Sequence, residues 1–238
     1  MPHLYTLREK HYWFLDGIPL MQHFTVLQDD GEQGWQAAYL AYHIASRLGA
    51  PIRVLLTESS SDKNARAQRA AQVKVGGRAA KVTVETRLVT DFSVNTVAEN
   101  CKNTNGLFIP RHLIPDEKAA RRFLKTLSCP LWLVSAESAM DGMAVLIGDP
   151  ALDEALTRYA MTLSGRIKLP LAGFVHKDEY SLISKSNPDI IWQALTELSS
   201  SEITTALSQV NASLLFLSIA HFSLTDKLPI NFVIYTES

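Results

Sequence analysis

Two aspartates that could contact a ligand follow apolar runs in the sequence. Asp29 lies just beyond the run at residues 24–27, and Asp149 lies just beyond the run at 143–147. Short apolar runs predict buried strands, and open α/β sheets bind ligands at the carboxyl ends of their strands. A carboxylate at that position could contact a ribose or a base. The alternative is a turn or a helix cap, both of which aspartate favours.

Basic side chains follow two later apolar runs. Arg111 and His112 come after the run at 107–109, and His221 comes after the run at 214–217. Arginine and histidine can bind an anion through their side chains. An ordinary surface pair on a loop is the alternative for Arg111 and His112, and a structural role is the alternative for His221. A histidine occurs at the corresponding place in both units, and this recurrence slightly favours a shared function for His112 and His221.

Other chemical constellations are scarce. The sequence has no G-x-S-x-G elbow, no H-E-x-x-H pair and no P-loop. Its seven histidines and two cysteines show no metal-ligand spacing. We therefore predict no catalytic residues and no metal. Cys101 and Cys129 are expected to be inert thiols in a reducing compartment, although a single disulfide between them stays open.

Composition limits the partners that we expect. The chain has 238 residues and a formal net charge of -1, so no overall field attracts nucleic acid or anionic lipid. A basic stretch from Lys63 to Lys81 is interpreted as a solvated helix face, with nucleic-acid contact as the alternative. No apolar run is long enough to span a bilayer, and the N-terminus does not resemble a signal peptide. The sequence therefore predicts a cytoplasmic protein with neither nucleic-acid nor membrane partners.

The elements that position these residues occur in one order twice. Apolar strands alternate with helical stretches at 22–136, and the pattern restarts at 143–238 after a polar linker and in a shorter form. Alternation of this kind predicts α/β units with right-handed crossovers and mostly parallel sheets. We therefore predict an old duplication that gives two tandem, doubly wound, five-stranded sheets. Residues 1–21 form an N-terminal extension whose aromatic run at 11–15 is expected to pack on the body or on a partner.

Particular elements carry more detailed expectations. Asp30 and Gln33 are predicted to cap the first helix as a capping box, and Gly49 to end it. Gly76 and Gly77 are predicted to end the second helix. The segment 190–198 is predicted as a strand, although its pattern is equally compatible with a helix.

Four short motifs resemble the universal stress protein family. In the first unit these are VLQD at 26–29, RLGA at 47–50, RVLL at 53–56 and LSCPLWLV at 127–134. The second unit repeats the scheme more faintly at 144–149 and 212–217. The resemblance implies the Rossmann-like fold of adenine nucleotide alpha hydrolases and a role in the stress response. It also implies that the two units pair through their fifth strands as an intramolecular pseudo-dimer.

The sequence departs from that family at its phosphate-binding loop. Family members that bind ATP carry G-x2-G-x9-G-[ST] after the fourth strand, where backbone amides close around the phosphates. The corresponding segments at 109–115 and 218–225 contain no glycine, and the first contains Pro110 and Pro115, which lack an amide donor. No cofactor is therefore expected, and ATP or AMP stays open only as an unusual ligand.

These observations lead to three hypotheses. The first is a non-catalytic, stress-related binding or interaction protein with a degenerate nucleotide-binding site. The second is a protein that binds a nucleotide or small anion in its first crevice through Asp29, Thr57, Arg111 and His112, with Asp149 and His221 as equivalents in the second unit. The third is an enzyme that acts on an adenylated substrate. A homodimer and an unidentified protein partner both stay open.

Overall fold

The computed structural model describes residues 23–57, 63–127, 129–135, 140–149 and 153–235. The predicted N-terminal extension at 1–21 lies outside the described residues, as does most of the predicted linker. Within them the chain builds one sheet flanked by helices.

Ten strands form this sheet. They are β1 (His23–Gln28), β2 (Ile52–Thr57), β3 (Val84–Val89), β4 (Thr104–Pro110), β5 (Leu131–Val134), β6 (Met143–Ile147), β7 (Leu171–His176), β8 (Ile191–Leu195), β9 (Leu214–Ser218) and β10 (Asn231–Tyr235). Their spatial order is β3-β2-β1-β4-β5-β10-β9-β6-β7-β8. The segment at 190–198, which was compatible with either a strand or a helix, is a strand at 191–195.

The two halves of the sheet have the same strand order. In each half the first strand lies between the second and the fourth, and all pairs within a half are parallel. The predicted α/β class and the five parallel strands of each half are confirmed.

The halves are not separate sheets, however. β5 and β10 pair in antiparallel register, with Trp132 opposite Val233, and they join the halves into one continuous sheet. The expectation of two separate sheets is therefore wrong, whereas the pairing of the two fifth strands that the family resemblance implied is present. The physical reason is that a bare fifth strand would leave its outer amides and carbonyls without partners, and each half supplies the partner that the other lacks.

Seven α-helices cover both faces of the sheet within the described residues. They are α1 (Glu32–Leu48), α2 (Lys63–Ala79), α3 (Val94–Asn100), α4 (Glu117–Leu127), α5 (Glu154–Ile167), α6 (Tyr180–Ser186) and α7 (Ser200–Gln209). A short 3₁₀ turn, Arg111–Leu113, follows β4, and a longer 3₁₀ segment, Ile219–Asp226, connects β9 to β10. None of the described helices is both long enough and apolar enough to cross a membrane.

Two apolar cores lie on the two faces of the sheet. One packs α1 and α5 against the sheet, and the other packs α4, α7 and the Ile219–Asp226 segment against its opposite face. Phe108 stacks on Trp132 at a centroid distance of 4.7 Å, and Trp132 contacts Phe216 of the second half at 6.3 Å. The strands alternate their side chains between both cores, which explains why the sequence shows nearly continuous apolar runs.

Two expectations about helix ends are wrong. The first helix begins after Gly31, which has no side chain to cap it, and Asp30 forms an ion pair with Arg69 instead. Helix α2 continues through Gly76 and Gly77 to Ala79. A Cβ at Gly77 would lie 2.2 Å from Val84, so this glycine permits close packing of helix on strand rather than ending the helix. Gly49 ends α1 in the left-handed conformation, as predicted.

Candidate functional site

The first crevice lies where the strand order reverses. β1 and β4 are neighbours in the sheet, but β2 and β3 separate them along the chain. Their carboxyl ends at Gln28 and Pro110 therefore meet at the switch point where doubly wound sheets bind ligands. Asp29, Thr57, Arg111 and His112 all follow or end strands at this edge.

Asp29 and His112 come together in this crevice. Nε2 of His112 lies 2.5 Å from Oδ2 of Asp29, and Nδ1 lies 2.9 Å from Oε1 of Gln33. The imidazole thus spans from the turn after β1 to the first turn of α1. Its side chain is 47% exposed and that of Asp29 21%, so the pair lies at the mouth of the crevice.

Asp29 also shapes the turn that holds it. Its Oδ1 accepts a hydrogen bond from the amide of Gly31 at 3.0 Å. Gly34 packs directly on the same residue, since an added Cβ would lie 2.4 Å from Oδ1 and 2.8 Å from the carbonyl oxygen of Asp29. Asp29 can therefore hold the turn and also face the crevice, because each role uses a different oxygen of its carboxylate.

Arg111 makes contacts away from Asp29. Its Nε donates to Oγ1 of Thr225 at 3.1 Å, and its other nitrogens bind the Asp226 carboxylate and the carbonyl of Ile114. The guanidinium also lies 4.8 Å from the ring centre of Phe222, at cation–π distance. Arg111 is buried and joins β4 of the first half to the Ile219–Asp226 segment of the second. Thr225 and Asp226 could not be identified from the local sequence, because they lie more than a hundred positions away.

Arg69 is a crevice residue that sequence reasoning missed. It projects from α2, donates to the carbonyl of Thr57 at 3.1 Å and forms an ion pair with Asp30. Desolvation lowers the pKa of its guanidinium, and the charge of Asp29 acts in the opposite direction. The interpretation of the basic stretch as a solvated face is wrong for this residue, although Lys74 and Lys81 are exposed as expected.

A helical spacing could have identified Arg69. It lies four positions before Val73, which is fully buried, so both residues project from the face of α2 that meets the sheet. A second missed residue is Gln28, the last residue of β1. Its amide is fully buried and has no hydrogen-bond partner among the described residues.

Two backbone amides after β4 already have hydrogen-bond partners in the protein. The amide of His112 donates to Oε1 of Gln33 at 3.4 Å, and that of Ile114 donates to the carbonyl of Arg111 at 3.1 Å. Pro110 and Pro115 have no amide to donate. The arrangement therefore differs from a loop whose successive amides point into a phosphate site.

A histidine also lies against the first strand of the second half. His221 packs on Gly148, where an added Cβ would lie 1.9 Å from Nε2 of the ring. The adjacent turn is held by Asp153, whose Oδ2 accepts from the amides of Gly148 and Asp149 at 2.8 and 3.1 Å. Asp149 itself is exposed, and the buried carboxylate of this turn is Asp153, which the sequence analysis did not identify.

No group of histidine, cysteine and acidic residues within the described ranges has the geometry of a metal site. Cys101 and Cys129 are free and buried. Burial raises the pKa of the Cys101 thiol to about 11 and also raises that of Cys129. Both side chains therefore have the character of inert core residues rather than nucleophiles.

Comparison with known proteins identifies the fold. No family model matches the chain, and no curated protein matches it. A solved universal stress protein from Archaeoglobus fulgidus DSM 4304 superposes with a TM-score of 0.68 over 90% of this chain and 98% of that one, at 12% identity. The chain has the universal stress protein fold.

Another solved structure, a universal stress protein in complex with cAMP, matches 49% of this chain and 99% of that one at 14% identity. Its TM-score is 0.36, so this match carries no argument about a ligand here. The universal stress protein fold nevertheless agrees with the resemblance found in the four sequence motifs.

Proposed function

We propose that this chain is a non-catalytic binding or interaction protein on a universal stress protein fold, and that it does not hold ATP in the usual way. The observation that carries the proposal is the position of His112. Its ring lies at the switch-point crevice with one nitrogen against Asp29 and the other against Gln33. A nucleotide that used Asp29 would first have to displace this ring.

The supply of hydrogen-bond donors supports the same proposal. A triphosphate that leaves water must regain its hydrogen bonds, and each unpaired buried group costs about 1–3 kcal/mol. The amides of His112 and Ile114 already have partners, and Pro110 and Pro115 have no amide. Arg111 cannot readily compensate, because its guanidinium is bound to Asp226, Thr225 and Ile114.

A second candidate function is the binding of a smaller nucleotide or anion in the same crevice. Two observations favour it: Arg69 places a buried cation beside the ends of β1 and β2, and Gln28 holds a buried amide that has no partner among the described residues. A buried amide of this kind is costly unless water or a ligand satisfies it. A ligand that lacks the β- and γ-phosphates would need fewer of the missing donors.

Calorimetric titration with ATP, AMP and an inorganic phosphate control tests the proposal. We expect ATP to bind the wild type with a Kd of about 1 mM or weaker, which corresponds to roughly 4 kcal/mol. No release of ADP or phosphate should follow. Micromolar ATP binding in the wild type, or turnover of ATP, would contradict it.

Two variants separate the candidates. The substitution His112→Ala should leave ATP binding weak, because it supplies no new backbone amides for the phosphates at Pro110 and Pro115. If AMP binds the wild type at micromolar concentration and Arg69→Ala weakens it about tenfold or more, the second candidate replaces the first. His43→Ala is the matched control for His112→Ala, since His43 is an exposed histidine in the second half of α1, far along the helix from Gln33.

A further inference from the structure

The ten-stranded sheet has two outer edges, and charge protects one of them. On β3, Glu85 binds both Arg53 at 2.9 Å and Arg87 at 2.6 Å. Charged side chains on an edge strand oppose pairing with a further strand, because the added strand would have to desolvate them. The β3 edge therefore has a common device against strand addition.

The β8 edge has no such device. Its five residues, Ile191–Leu195, include no charged residue and no proline, and all five pair with β7 in unbroken parallel register. Ile191 is 71% exposed, the largest exposure of any large apolar side chain among the described residues. A regular, uncharged edge with an exposed apolar side chain is a template for another strand.

A groove lies beside the carboxyl-terminal half of this edge, from Gln193 onward. Its volume is about 780 Å³, and it lies between β8 and α7. Short side chains of α7 line one wall, namely Ser201, Thr205 and Ala206. Gln193 and Ala194 both line the other wall although they point to opposite faces of the sheet, so the groove extends around the strand edge. Such a shape leaves room for the alternate side chains of an added strand.

One end of the groove is acidic. Glu197 and Glu202 line it where β8 ends. The carboxylate of Glu202 is held in place by the amides of Thr196 and Glu197, at 2.9 and 2.6 Å. A cation would find an oriented negative charge at this end, beside the uncharged length of the strand.

We propose that β8 receives an extended segment of a partner protein as an eleventh strand, and that this segment has an uncharged core with lysine or arginine beside it. Backbone hydrogen bonds to the β8 edge give affinity, and the acidic end of the groove selects the basic flank. This surface lies outside both crevices, so the proposal does not depend on what the crevices bind.

A second copy of the chain is a poorer occupant on grounds of charge. Two β8 strands paired about a two-fold axis at Gln193 would set the exposed Ile191 opposite Leu195, whose side chain is buried in the core. The same register sets Asp189 opposite Glu197 at both ends of the pair. Like charges in opposed positions are destabilising, whereas a basic flank would be attracted there.

Synthetic peptides test the proposal on the full chain. Fluorescein-labelled peptides of alternating valine and threonine, with lysine, glutamate or alanine at both ends, are titrated while anisotropy is recorded. We expect the lysine peptide to bind about tenfold tighter than the glutamate peptide. Its binding should slow hydrogen exchange at residues 191–195, and N-methylation of alternate peptide amides should abolish it.

Substitutions on the exposed surface supply the matched controls. Ile191→Lys should weaken the lysine peptide about tenfold, and Leu182→Lys, a similarly exposed leucine on α6, should leave it unchanged. Glu197→Lys should reverse the preference between the lysine and glutamate peptides. Because these side chains are exposed, all three variants are expected to melt within a few degrees of the wild type.

Three results would overturn the proposal. The first is no saturable binding of the lysine peptide up to about 1 mM. The second is equal binding by the wild type and Ile191→Lys. The third is protection of residues 191–195 that rises with protein concentration in the absence of peptide, which would identify a second copy as the occupant.

Discussion

His112 and His23 show how burial and neighbours decide what one residue type does. His112 lies at the surface, and both its ring nitrogens face side-chain oxygens. His23 opens β1 inside the sheet, and its Nε2 has no partner among the described residues. Burial, followed by the positive charge of Arg53, lowers the pKa of His23 to about 4. The first histidine lies across the mouth of a crevice, whereas the second is expected to make the stability of the fold depend on pH.

Acid should destabilise this protein through His23. The unfolded chain protonates His23 near its ordinary pKa of 6.5, but the folded chain does so only near 4. Between these values the unfolded state binds more protons, so stability falls as pH drops through this window. We expect the wild type to lose about 2 kcal/mol from this residue between pH 7 and pH 5, measured by urea unfolding.

The variant His23→Phe should lose that pH dependence over the same range. His43→Gln should retain most of it, because His43 is exposed. Glu85 also titrates abnormally, since its hydrogen bond to Arg87 lowers its pKa, but its contribution is lost only at lower pH. An unchanged slope in His23→Phe between pH 7 and pH 5 would show that another group carries the effect.

At the level of elements, the start of α1 depends on a residue without a side chain. Gly34 lies in the first turn of α1, within contact distance of the main chain and carboxylate of Asp29. The close approach of helix and turn places Gln33 where it meets His112. Helix propensity alone would favour alanine at this position by about 1 kcal/mol.

We therefore expect Gly34→Ala to destabilise the protein by about 1–3 kcal/mol despite the gain in helix propensity. The reason is that backbone atoms of Asp29 lie 2.8–2.9 Å from the new Cβ and cannot move independently of the turn. Gly165→Ala is the matched control, because that helical glycine has nothing within 4 Å of a new Cβ. It should be neutral or stabilise the protein by up to about 1 kcal/mol in urea unfolding.

The elements could largely be predicted from sequence, and the contacts between distant elements could not. Core residues predicted on central strands, such as Val26, Leu56, Phe108 and Leu215, are all buried. A local apolar pattern suffices for that, because it reports which segments must leave water. The same reasoning placed Asp29 and His112 at one edge, although not their direct contact.

Long-range polar contacts account for what was missed. Arg111 was expected to face a ligand, and it binds Thr225 and Asp226 instead. The local sequence does not distinguish an arginine that binds a residue 114 positions away from one that binds an anionic ligand. The helix α6 was also missed, because seven residues are too few for a clear helical period.

At the level of the whole molecule, Arg111 links the first half of the sheet to the Ile219–Asp226 segment of the second half. Its guanidinium is buried against Phe222 and Thr225 and is paired with Asp226. We expect Arg111→Ala to lower the free energy of unfolding by about 2–4 kcal/mol, because it removes packing and charged hydrogen bonds together. Arg121→Ala should change it by about 0.5 kcal/mol or less, because that exposed arginine forms a surface ion pair with Glu117 one turn away.

Chemical denaturation with fluorescence and circular dichroism measures both variants. Arg111→Ala should still unfold in one transition, because the β5–β10 pair continues to join the halves. An effect no larger than that of Arg121→Ala would mean that the ion pair contributes nothing to the association of the halves.

The antiparallel junction between β5 and β10 also determines how the protein responds to dilution. In a pair of separate subunits, such a contact would form by a second-order reaction and would be lost at low concentration. Here both strands belong to one polypeptide, so each meets the other at a fixed effective concentration set by the connecting chain. This junction therefore resembles the interface of a dimer, but it forms within one chain and does not depend on protein concentration. The antiparallel junction also places the carboxyl ends of β1 and β4 at one end of the sheet and those of β6 and β9 at the other. The two crevices therefore open at opposite ends of the molecule.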